Sequence, residues 1–198
     1  MHIHQGHWDD VPPETQTFLA SRFPFPLNLA PQAVADSLLS AEGALAEMNK
    51  AGVEQGVLYA VYAPQTVGIA SNELVGEQMA FDPARLYGFG SLRVDHWNTD
   101  EEQELRGLED AIVTYGMIGV KLAHAHMQFR LDDPRYYSIY ELAGQLGTPV
   151  YLHTGTSPFP GTRQEPPYTD PAYLEEAIGS YPDTIFILGH LGYDFINK

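Results

Sequence analysis

Two histidines separated by a single residue, His2 and His4, open the chain. Read as the end of a strand, residues i and i+2 project to one face, so both imidazoles point the same way. Two neutral nitrogen donors on one face can share a divalent ion, as zinc and similar metals require. Two more histidines close apolar runs: His153 ends residues 149–153 and precedes Thr154-Gly155, and His190 ends residues 184–190 and precedes Leu191-Gly192. A lone histidine is usually structural, but four at the ends of three separate strands point to a shared cation. With no cysteine in the chain, that cation must be held by nitrogen and oxygen donors.

Other residue types offer weaker chemistry. Lys121 sits in the run Gly-Val-Lys-Leu at 119–122, where it either packs or faces a substrate. His124 and His126 follow it in what reads as a loop, where a solvated histidine is the expectation; His7 and His96 have less support still. Arg163, in the loop 155–169, has a planar fork suited to a substrate carboxylate.

The elements that must position these groups alternate regularly. Strands are expected at residues 1–4, 53–62, 85–94, 117–123, 149–153 and 184–190. Their near-continuous apolar character suits a parallel sheet covered by helices on its faces. Helical period fills the intervals at 33–50, 72–80, 99–115, 134–146 and 170–181. Gly52, Gly116 and Gly147 read as stops, Thr99 and Asp170 as N-caps, and Pro171 as a first helical residue. Six strand–helix alternations argue an α/β fold of the (β/α)8 TIM-barrel type, incomplete, with about six βα units in one domain spanning 1–198. At a unit's usual length, two further units would add roughly 60–70 residues. A six-stranded doubly wound sheet is the competing arrangement, weakened because no GxGxxG follows the first strand. The long connection 5–32 is rich in proline and aromatics (Trp8, Phe18, Phe23, Phe25), which favours a packed loop over the barrel mouth.

Composition excludes several partners. Lys+Arg number 10 against 26 Asp+Glu, a net charge of −16. No cluster of basic residues exists to release phosphate counterions, so nucleic acid is not expected. No run approaches the roughly 18–20 apolar residues of a membrane helix, and no secretory signal is legible. The absence of cysteine fits the cytoplasm. A small-molecule substrate is the expected partner, with self-association left open.

Taken together, His-x-His at 2–4, GVKL at 119–122, LHTG at 152–155 and LGHLG at 188–192 resemble the amidohydrolase-related family. That family holds metal-dependent TIM-barrel hydrolases and decarboxylases, among them those acting on aminocarboxymuconate semialdehyde and resorcylates. The resemblance implies one divalent metal ion on His2, His4 and His153, zinc first, with manganese or iron also suited. It implies that His190 is a further ligand or the catalytic residue orienting water or substrate. The family's last ligand is an aspartate ending strand eight; Asp194 does not occupy that position, so strands seven and eight are expected outside this sequence. In binuclear relatives a strand-four lysine is carboxylated and bridges two metals, whereas the mononuclear branch leaves Lys121 to packing or substrate. The implied reaction is attack of metal-activated water on an amide, ester or lactone carbonyl. The alternatives are nonoxidative decarboxylation of an aromatic or unsaturated acid, and an inactive metal-binding fragment.

Overall fold

Among the described residues, eight short runs form strands: β1 (His2–His4), β2 (Gly56–Tyr59), β3 (Val61–Ala63), β4 (Gly68–Ala70), β5 (Leu86–Gly90), β6 (Gly119–Leu122), β7 (Val150–His153) and β8 (Phe186–Gly189). The structure, a computed structural model, describes residues 2–22, 30–95, 97–190 and 192, and only the backbone of His2 and Asp36. Helices α1 (Pro13–Arg22), α2 (Pro31–Leu38), α3 (Ala41–Ala51), α4 (Asn72–Met79), α5 (Trp97–Val113), α6 (His124–Met127), α7 (Tyr137–Gln145), α8 (Pro166–Thr169) and α9 (Glu175–Ser180) occupy the intervals.

Among the described residues, six strands make one parallel sheet in the order β1-β2-β5-β6-β7-β8. The order follows the sequence without reversal. A doubly wound sheet reverses at a switch point, whereas a barrel wall does not. The molecule is therefore an incomplete barrel. Its helix-covered side is a dry core: Leu108, Val120, Leu122, Ile139, Tyr140 and Leu152 form one buried cluster. Met48, Leu58, Leu86 and Met117 belong to a second, under α3 and α4. Each such side chain contributes about 1.5–3 kcal/mol when fully buried. No helix among the described residues is long and apolar enough to cross a membrane.

Several expectations need correction. The apolar run 53–62 is two strands in two sheets, because Val61–Ala63 leaves the parallel ladder and pairs antiparallel with β4. Thr66 and Val67 both donate their N–H to the Ala63 carbonyl, and Gly68 takes φ +94°, so the chain reverses at once. The segment 33–50 is two helices. Ser40 breaks it, its Oγ accepting from the Gly43 N–H at 3.1 Å, while Gly52 stops α3 with φ 66° as expected. Thr99 is not an N-cap, since α5 begins at Trp97. Asp170 does cap, accepting from Ala172 N–H at 3.0 Å.

The connection 5–32 is more structured than a loop. It contains a 3₁₀ turn, Trp8–Asp10, and all of α1. Trp8 is buried, Thr15 Oγ1 donates to the Thr66 carbonyl, and the Phe18 ring meets Phe159 at 5.7 Å. These contacts tie the segment to the β3–β4 turn and to the loop after β7, over the mouth of the barrel. Phe23, Pro24, Phe25 and Pro26 lie outside the described residues.

Candidate active site

The carboxyl ends of β1, β6, β7 and β8 open on a cavity of about 750 Å³, into which His4, Lys121, His153 and His190 all face. Parallel register puts them there. His4 pairs with Tyr59 on β2, Lys121 with Tyr151, two residues before His153, and His153 with Gly189, the residue before His190. This is the rim from which barrel enzymes draw their catalytic groups.

Three imidazoles stack along one wall. His153 and His190 have ring centroids 4.6 Å apart, and His126 meets His153 at 4.9 Å, nearly perpendicular. His190 has φ 57°, a left-handed conformation that costs a non-glycine residue roughly 1–2 kcal/mol and that surrounding structure must enforce. That enforcement is visible: Thr154 Oγ1 donates to the Gly189 carbonyl at 2.5 Å and accepts from Gly192 N–H at 3.2 Å. The turn carrying His190 is thus clamped to β7.

Burial keeps these rings neutral. It pushes His126 down to about 4, helped by Lys121 and His190. His153 lies far below the usual histidine range, from burial first and then from His126, Lys121, His190 and His4. His190 is lowered by burial and by Lys121. A neutral imidazole keeps the lone pair that binds a metal. The buried His153 Nε2 has no hydrogen-bond partner among the described residues. A buried polar atom left unsatisfied costs about 1–3 kcal/mol, which a bound ion would remove.

Beneath the histidines lies an aromatic floor. The Tyr59 ring contacts Tyr151 at 5.4 Å and Phe89 at 5.2 Å. Gly189 makes room for it, because a Cβ there would fall 2.5 Å from the Tyr151 hydroxyl. The Lys121 ammonium rests on this floor, 4.1 Å from the Tyr151 centroid and 5.5 Å from that of Tyr59. Lys121 is 1% exposed; burial alone lowers it to about 7. Burial, with Tyr151 adding, pushes the Tyr59 hydroxyl up to about 12.

Some expected residues fall elsewhere. Arg163 is not brought to the cavity. It is half-buried, its guanidinium is paired with Glu165 at 2.7 Å and stacked 4.5 Å over Tyr168, so a neighbour two positions away already occupies its fork. His124 and His126 are not solvated: they form the buried start and middle of α6. His126 lines the cavity, its Nδ1 3.3 Å from Thr66 Oγ1. His124 points into the core, with Tyr140 Oη 3.3 Å from its Nε2. A second His-x-His directly after a strand was the signal for His126. Gln5 was also overlooked: it is 4% exposed and lines the same cavity. The His2 side chain, His96 and Asp194 lie outside the described residues. Among the described residues, no three His, Asp or Glu side chains are grouped to hold an ion; the two expected ligands seen in full, His4 and His153, face one cavity.

The amidohydrolase family model matches residues 2–196. The chain belongs to the amidohydrolase family. Its fold is shared by an uncharacterized TIM-barrel protein from Bordetella bronchiseptica, with TM-score 0.71, 23% identity, and coverage of 98% of this chain and 68% of that one. It is shared by a dihydroxybenzoic acid decarboxylase from Polaromonas sp. JS666 with bound manganese and 2-nitroresorcinol, at TM-score 0.64 and 21% identity, over 96% of this chain and 64% of that one. A probable 2-pyrone-4,6-dicarboxylic acid hydrolase from Acinetobacter baumannii also matches, at TM-score 0.55 and 18% identity, over 96% and 57%. No curated protein sequence matches it. This amidohydrolase-family chain thus spans about two thirds of the length of the first two solved structures.

Proposed function

We propose that this chain forms the metal-binding wall of an enzyme that decarboxylates a small aromatic or unsaturated carboxylic acid. One observation carries the reading. The cavity walls offer neutral imidazoles and a buried lysine, and no Asp or Glu among the described lining residues, so the space suits an acid as ligand. The decarboxylase fold shared with the Polaromonas protein agrees with this.

His2, His4 and His153 would hold one divalent ion, and the unpartnered His153 Nε2 fits that role. Bound there, the ion supplies Lewis acidity and an acidified water; manganese, zinc and iron all suit such donors. The protein's own groups do the rest. His190, clamped against His153, presents a second imidazole to whatever lies beside that residue, in position to orient a substrate or move a proton. Val61, Val67, Ile69 and Phe159 supply apolar lining that would exclude water from the reacting carboxyl.

Hydrolysis of an amide, ester or lactone is the second reading. It is favoured by the closeness of His190 to His153, which suits a ring that positions a water.

The test is a metal assay followed by paired substrates. Full-length protein should retain about one divalent ion per chain and release carbon dioxide from 2,6-dihydroxybenzoate. A His2→Ala, His4→Ala variant should lose both. Lactone cleavage without carbon dioxide release would move the assignment to the second reading, and stoichiometric metal in the double variant would remove the site.

A further inference from the structure

Two polar side chains in the cavity are buried without a hydrogen-bond partner among the described residues. Lys121, 1% exposed, has no hydrogen bond at Nζ and takes part in no ion pair among the described residues. Its Nζ lies over the faces of Tyr151 and Tyr59. Gln5, 4% exposed, has neither its amide nitrogen nor its amide oxygen satisfied. Both line the same space as His4 and His153. The chain has 26 acidic residues, yet no described carboxylate lines this cavity. An isolated buried ammonium is expensive, and such a charge is normally paired. A buried amide with four unused hydrogen-bonding positions is a second unmet demand.

We propose that Lys121 and Gln5 are the substrate-reading pair of this cavity: Lys121 takes an anionic oxygen on a flat unsaturated ligand, and Gln5 hydrogen-bonds an adjoining polar group. This deepens the reading of the cavity as the active site and rests on it. The apolar lining of Val61, Val67, Ile69 and Phe159 accepts the planar body, and the Lys121 ammonium supplies the charge opposite the ligand's anion. The anionic oxygen is either a carboxylate or a phenolate, since both present the same charge to one ammonium. A neutral ligand of the same shape leaves the lysine unpaired and is rejected for that reason.

Calorimetric titration of the full-length protein, metal-loaded and chelator-stripped, separates these points with three probes: benzoate, 4-nitrophenolate and benzamide. Benzoate or 4-nitrophenolate should bind at least tenfold more tightly than benzamide in both metal states, and which of the two wins names the anion. Lys121→Met, which keeps the stem volume, should lose at least tenfold in anion affinity while its metal content is unchanged and its melting temperature is not lowered. Gln5→Glu, which sets a negative charge beside the ligand, should weaken the anions and spare benzamide. Equal binding of benzamide, or anion affinity unaltered in Lys121→Met, would overturn the assignment. Failure of the metal reading alone looks different: the protein then holds no ion, yet the anion preference and its loss in Lys121→Met persist.

Discussion

His124 shows how much a single buried ring contributes. It packs against Tyr136, with ring centroids 3.9 Å apart, and burial lowers it to about 3, with Asp133 opposing and Lys121 adding to the depression. An unfolded histidine titrates near 6.5. Below that pH the unfolded chain binds a proton that the native core refuses, so stability falls as pH drops from about 6.5 toward 3. Each unit of depression is worth about 1.4 kcal/mol. His124→Gln should therefore lose less stability than wild type between pH 7.5 and pH 5, read from urea midpoints; equal losses would mean the native core takes up the proton as readily as the unfolded chain. At this scale the sequence told part of the story. His4, His153 and His190 were legible because strand ends and a period of two fix where they point. Lys121 was assigned to packing or substrate, but its complete burial on two tyrosines is a tertiary fact with no local signature. Arg163 was misplaced despite a local cue. Arg93, Arg130, Arg135 and Arg163 all pair with an acid two positions away, so a nearby acid should have withdrawn Arg163 from substrate.

The join between α2 and α3 sets the edge of the cavity through Leu39, and glycine makes it possible. A Cβ on Gly43 would run into the Ser37 carbonyl of the preceding helix. Alanine at an exposed helical position ordinarily stabilises by about 1 kcal/mol over glycine. Gly43→Ala should do the reverse, lowering the urea midpoint, because the two backbones must part. A rise in the midpoint would show that the helices approach less closely than described. This junction also explains the misread helix. The apolar stripe of 33–50 stays in phase across Leu39 and Ser40, so periodicity alone joins what the Ser40 cap divides. Likewise β3 and β4 have three residues each, too few to show a period of their own. They carry Thr66 to His126 and α1, and therefore shape the lid. The strands of the parallel sheet were readable, since helices of clear period separate them, α3 and α4 each with a capped start.

Across the whole molecule, the strand order in the sheet repeats the order in the sequence, and that is why a one-dimensional alternation could be turned into a barrel wall. Charge is the property that no element owns. The net charge of −16 surrounds a cavity proposed to receive an anion, so the global field and the local ammonium oppose one another. Long-range repulsion acts on the approaching ligand through water and is screened over about 10 Å at 0.1 M salt and 3 Å at 1 M. The contact with Lys121 is buried and is screened far less. Encounter and retention should therefore respond differently to salt. In stopped-flow measurements with 4-nitrophenolate, the association rate should rise several-fold between 0.02 and 0.5 M sodium chloride, while the dissociation rate changes by less than twofold. An association rate that falls with salt would mean the mouth presents a positive face, and the steering would have to be sought in groups outside the described residues.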